Sequence, residues 1–209
     1  MPVRRRFVVS LVVAAASLSA CSTGEPAADD LDRRLCSSAD LQGDYIELAR
    51  GEFTPRDLAD LSDDADFRER QFEEAGLLRG RFVFFNQVLP KPPFDPPLSV
   101  VCQAVEFATP AQAAAYAAGL DTDHPALQVS GIAWLPEGNR TVEDVAPGVH
   151  RITVEPSGRR IAVLVAHVAQ GKFFTSVYFG SEGSLPEIDS LRELVARVVA
   201  RVEEESPHR

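Results

Sequence analysis

"RRIAVLVAHVA" (159–169) and "KFFTSVYFG" (172–180), with only Gln170 and Gly171 between them, decide the fold. Both runs are rich in β-branched and aromatic residues, and the two-residue break suits a tight turn, so the pair predicts a β-hairpin. Upstream, "QVSGIAWL" (128–135) and "GVHRITVE" (148–155) read as two further strands. Earlier still, "GRFVFFNQVL" (80–89) and "LSVVCQAVEF" (98–107) flank "PKPPFDPP". Five prolines in residues 90–97 forbid ladder pairing there and favour an extended loop.

Helices punctuate these strands. "FTPRDLADLSDDADFRERQFEEAG" offers Thr54 as N-cap, Pro55 in the first turn, Asp57 behind it and Gly76 as terminator, over one helix or two shorter ones. "TPAQAAAYAAG" has Thr109 as cap, Pro110 first, Gln112 to complete a capping box and Gly119 at its end. "SLPEIDSLRELVARVVARVEEE" opens on Ser184, Pro186 and Glu187. It spaces Ile188, Leu191, Leu194, Val195, Val198 and Val202 on one stripe, with Arg192, Glu193, Arg197 and Arg201 toward water.

The element order predicts an α+β fold: an antiparallel sheet of about five to six strands with helices packed mainly on one face. Strand–strand–helix recurs in both halves and hints at an internal duplication, although no residues visibly repeat. "SADLQGDYIEL" has a short extended or turn-like character around Gly43.

The 209 residues suffice for one domain. The net charge is −10; without residues 1–20, which hold three arginines and no acid, 18 basic residues face 31 acidic ones, a net of −13. Such a surface repels phosphate backbones, and no basic patch with interleaved aromatics offsets it, so nucleic acid is excluded as a partner. Attraction to anionic lipid is excluded on the same ground.

The chain begins "MPVRRRFVVSLVVAAASLSAC": basic Arg4–Arg6, an apolar run from Phe7 to about Leu18, then small residues before a cysteine. That run is too short to span a bilayer and fits the apolar region of an export signal. "Leu18-Ser19-Ala20-Cys21" resembles the lipobox of bacterial lipoprotein precursors. The resemblance implies cleavage before Cys21, a diacylglyceryl group on its thiol, and a palmitate-type acyl group on the new amine. Two or three chains anchor stably where one does not. "Arg4-Arg5-Arg6-Phe7-Val8" also resembles a loose twin-arginine signal, and equally fits an ordinary basic start. The expected organisation is a signal peptide at 1–20, a tether at 21–35, one domain at 36–205 and a frayed tail at 206–209. The expected location is the extracytoplasmic side of the cell membrane. Ser22 is not the Asp that would retain the protein at the inner membrane of a diderm cell, which leaves the outer membrane open there. In topology the domain resembles two-layer domains of many actinobacterial lipoproteins of unknown function, including the PsbP-like ones. That resemblance carries no active site.

With Cys21 assigned, Cys36 and Cys102 remain, an even pair in an oxidising setting, and are read as a disulfide. No catalytic residue, cofactor or metal is expected. His124, His150, His167 and His208 fall in no ligand spacing, and His167 reads as a core or sheet-face histidine. The acidic runs at Asp63–Asp66 and Asp121–His124 lack a calcium-loop pattern or read as a post-helix loop. There is no nucleophile elbow, P-loop or dinucleotide fingerprint.

Two features suit binding. Phe94 sits in the proline-rich loop, which offers an extended edge to a partner. Phe173, Phe174, Tyr178 and Phe179 put aromatics on both faces of one strand, so that a face left open would line a groove for an apolar ligand through Phe173 and Tyr178. The reading is a lipid-anchored extracytoplasmic binding or protein-interaction module, with an apolar ligand or envelope protein as partner. The alternatives are a lipid-anchored hydrolase and a structural envelope protein.

Overall fold

The structure is a computed structural model and describes residues 29–41, 43–60, 64–88, 99–122, 139–155, 160–182 and 187–204. The lipobox with Cys21, Phe94 and its loop, the strand read at 128–135, His124, His208, Asp63, and Ser184 with Pro186 lie outside the described residues. Seven strands are described: β1 (Tyr45–Phe53), β2 (Leu77–Gln87), β3 (Ser99–Phe107), β4 (Asn139–Ala146), β5 (Val149–Glu155), β6 (Ile161–Gln170) and β7 (Phe173–Glu182). They form one sheet in the order β1-β2-β3-β7-β6-β5-β4, and every neighbouring pair is antiparallel. The helices are α1 (Pro55–Ala59), α2 (Ala65–Glu74), α3 (Pro110–Thr122) and α4 (Ile188–Glu204). The α+β class and the β6–β7 hairpin agree with the sequence, but seven strands replace the expected five to six. The additions, β1 and β4, are the two edges of the sheet.

Alternation along the central strands creates two cores, because successive side chains point to opposite faces. On the first face Val101, Val105, Val163, Val165, Phe174 and Tyr178 meet Leu58 of α1, Phe72 of α2 and Ala113 of α3. On the second, Val100, Cys102, Ala104, Leu164, Ala166, Val177 and Phe179 meet Leu31, Leu35, and Leu191, Leu194 and Val198 of α4. Helices therefore cover both faces, which corrects the one-face expectation. They also count against the duplication. The antiparallel β3–β7 seam would relate two equivalent halves by a two-fold axis normal to the sheet, and that axis keeps each helix on its own face. Here α3 and α4 lie on opposite faces.

Local signals explain the element ends. The Thr54 hydroxyl accepts from the Asp57 N–H at 3.3 Å, and the Asp57 carboxylate accepts from the Thr54 N–H at 2.8 Å, a closed capping box. Asp64 caps α2 by accepting from Phe67 N–H at 3.1 Å, so the segment forms two short helices. Thr109 accepts from Gln112 N–H at 3.2 Å, as expected. Gly119 does not end α3, which continues to Thr122. Gly80 and Gly51 serve the β1–β2 pair by their lack of a side chain. Phe53 lies over its cross-strand partner Gly80, and Phe82 over Gly51.

Residues 29–35, read as the end of a tether, belong to the domain. Leu31 is fully buried and Leu35 nearly so, around a 3-10 turn at Asp32–Arg34. Two isolated leucines in an acidic stretch give no period, yet each fills the second core.

The two ends of the sheet differ. Short turns gather at one, where Ala108 N–H donates to Gly76 O at 2.8 Å, Phe107 N–H to Lys172 O at 2.8 Å and His167 N–H to Gly148 O at 3.1 Å. Tyr45, Gln87, Ser99, Glu155, Ile161 and Glu182 mark the opposite end.

Candidate functional site

The N-terminal segment is fastened along the second face from the turn end toward the other. Asp29 accepts from Arg79 Nη1 at 2.6 Å, and Arg79 Nε donates to Glu106 at 2.8 Å. Lys172 Nζ donates to the other Glu106 oxygen at 2.6 Å. Arg81 binds both Asp32 and Glu52. The Arg34 guanidinium lies 4.1 Å above the Phe173 ring and donates to Gln170 at 2.8 Å. The Cys36–Cys102 disulfide follows, with Cα atoms 5.8 Å apart. Beyond it, Arg201 donates to the Leu35 carbonyl at 2.6 Å and to Asp40 at 2.9 Å, so this arginine, expected to face water, is a clasp on the N-terminal segment.

These partners set the ionisation of the N-terminal segment and of Glu106, which shares Arg79 with it. The hydrogen bond from Arg79 holds the Asp29 carboxyl below the ordinary range against its burial. Burial pushes Asp40 up, but Ser37 and Arg201 outweigh it and the net displacement is downward. Lys172, with Arg79, holds Glu106 down against its burial.

Phe173 and Tyr178 do not line an open groove. Phe173 lies under Arg34 in the second core, and Tyr178 is fully buried in the first. Tyr116 of α3 stands edge-on to Phe174 at 5.2 Å, part of the roof over that face.

A polar row crosses the first face inside the core. Gln103, Ser176 and His167 are successive cross-strand partners on β3, β7 and β6, with His150 of β5 diagonal to His167. The Tyr178 hydroxyl is 3.4 Å from the Ser176 hydroxyl and 3.5 Å from the Gln103 carbonyl. The His150 and His167 rings stack at 5.3 Å, 6° from parallel, and His150 Nδ1 is 2.7 Å from Asp144 of β4. His167 is thus a sheet-face histidine. Its pairing with His150 was hidden because the two stand 17 positions apart and only the hairpin register joins them. Among the described residues no group of three or more His, Cys, Asp or Glu gathers as a metal site.

Two surface features remain. A cavity of about 360 Å³ opens between α4 and the β5–β6 end, lined by Val149, Ala166, Val195 and Val199 with Arg192 at its edge. The corner where β1 begins and β2 ends exposes apolar side chains. Ile46 pairs with Asn86, Leu48 is the extra residue of a β-bulge, and Val88 donates its N–H to Asp44 O at 3.0 Å. Their exposures are 48%, 51% and 48%, whereas most of the large apolar side chains among the described residues are at least partly buried. Sequence reading missed this corner, since the strand that carries it was not recognised.

No family model and no curated protein matches the chain. Among solved structures it is similar to the extracellular domain of PknH from Mycobacterium tuberculosis, with 12% identity and a TM-score of 0.49, over 83% of this chain and 95% of that chain.

Proposed function

We propose that the chain is an exported lipoprotein, held at the membrane through Cys21, whose domain binds an extended segment of another envelope protein along β1. The disulfide supports the exported location, since such bonds persist in oxidising compartments. The LSAC motif supports the anchor. No described helix is long and apolar enough to cross a membrane, and acyl chains are the attachment that this reading supplies.

The observation that carries the interaction is the Ile46–Leu48–Val88 corner. Among the described residues β1 has a strand neighbour on one side alone, and this edge offers main-chain groups to an added strand. The bulge at Leu48 and the charges of Glu47, Arg50 and Glu52 guard against promiscuous edge pairing while keeping the apolar side chains outward. The test is a photo-crosslinker placed in intact cells at Leu48, with Arg68 as control. The reading expects one discrete adduct at Leu48, and a purified partner whose Kd rises at least about tenfold with Leu48→Glu. Equal labelling at both positions, or an unchanged Kd, contradicts it.

A second reading, capture of a small anionic amphiphile, is favoured by the cavity beside α4 with Arg192 at its edge. Native mass spectrometry of the purified protein decides it. A copurified amphiphile lost on Val199→Phe supports capture, and an unliganded mass opposes it.

A further inference from the structure

We propose that residues 29–36 act as a rigid strap that sets the domain's stance on the bilayer. The turn end of the sheet faces the lipid headgroups, and the Ile46–Leu48–Val88 corner is held away from them. The inference rests on the anchor at Cys21.

Eight residue-to-residue steps lead from Cys21 to Asp29, the first described residue, which Arg79 fastens to the domain. Fully extended, that length of chain reaches about 29 Å, and the root-mean-square span of a random coil of that length is about 16 Å. Asp29 is gripped by Arg79, three residues into β2 at the turn end, and Arg34 is tied to Gln170 at the same end. From there β2 runs on for eight residues to Gln87 at the far end, about 26 Å away. An inverted stance would hold the tether stretched to nearly its full reach, far beyond its coil dimension, at a cost in chain entropy. Lying flat is within reach, but it presses a chain of net charge −13 against anionic headgroups, and that repulsion favours standing.

The strap does not lengthen the tether by peeling. Leu31 and Leu35 are buried, Asp32 is held by Arg81, and Cys36 is bonded to Cys102 in a strand covered on both faces. The same fastening that made residues 29–35 part of the domain shortens the leash and gives the domain a direction. The surface it turns outward is the one that the proposed function uses.

The test uses the full lipidated chain in vesicles of phosphatidylcholine and phosphatidylglycerol with a headgroup quencher. A fluorescent amino acid is placed either at Glu74, exposed beside the turn end, or at Glu155, exposed at the far end. Quenching at Glu74 should exceed that at Glu155 by about threefold or more, and a 20-residue Gly-Ser insertion between Ala28 and Asp29 should erase the difference. Equal quenching without the insertion, or stronger quenching at Glu155, overturns the stance while the anchor stands. Vesicle binding that survives Cys21→Ala overturns the anchor, and the stance with it.

Discussion

Cys36 and Cys102 are bonded across 66 positions of sequence, and the bond ties the N-terminal strap to β3, a strand covered on both faces. A closed loop of that length contributes about 4 kcal/mol in the chain-entropy view. Cys36→Ser with Cys102→Ser should therefore lower Tm by on the order of 10 °C. Limited proteolysis should cut near Leu35 well before the sheet is attacked. An unchanged Tm with an intact strap would show that the ion pairs and leucines suffice.

Acid should loosen the strap first. Asp29, Asp40 and Glu106 are all displaced downward in the folded state, so unfolded chains bind more protons at mildly acidic pH. Their contribution is complete above the ordinary carboxylate range near pH 4 and is lost as pH falls through the folded values. Hydrogen exchange at Leu31–Leu35 should accelerate below about pH 4 ahead of exchange in β3, and Glu106→Gln should blunt the effect. Simultaneous acceleration in both segments would contradict it.

Gly80 is a packing position. A Cβ built there falls within the Phe53 ring, and one at Gly51 lies 2.8 Å from Phe82 Cε1. Gly80→Ala should cost about 1–3 kcal/mol in urea titrations. Added to Phe53→Ala, it should cost much less, because the obstructing ring is gone. Strict additivity would place the strain elsewhere.

Asp144 supports His150, a side chain with 1% exposure. Asp144→Ala should cost about 1–2 kcal/mol, and Asp144→Asn, which keeps an acceptor, appreciably less. Equal losses would mean that charge rather than the hydrogen bond matters.

The sequence was most readable where the sheet is most buried. β3, β6 and β7 have apolar residues on both faces and read as strands at once. β1 and β4 are the edges: in β1 only Phe53 is buried, so "YIELARGEF" shows little alternation, and "NRTVEDVA" carries charges through an edge strand. Leu31 and Leu35 escaped notice because isolated leucines have no period. Phe173 and Tyr178 misled in the other direction, since aromatics on both faces of β7 look alike whether a face is open or covered. The disulfide was legible from cysteine count and compartment. The His150–His167 stack required a register that no local pattern supplies.

The central claim is that Cys21 is the mature, acylated N-terminus. Mass spectrometry of the protein from membranes of its native host tests it most directly. The account predicts a mature chain beginning at Cys21, heavier than its residues by a diacylglyceryl group with or without one amide-linked acyl chain, and losing the ester-linked chains under mild alkali. A mature chain carrying an unmodified Cys21, or one that retains residues 1–20, would contradict it.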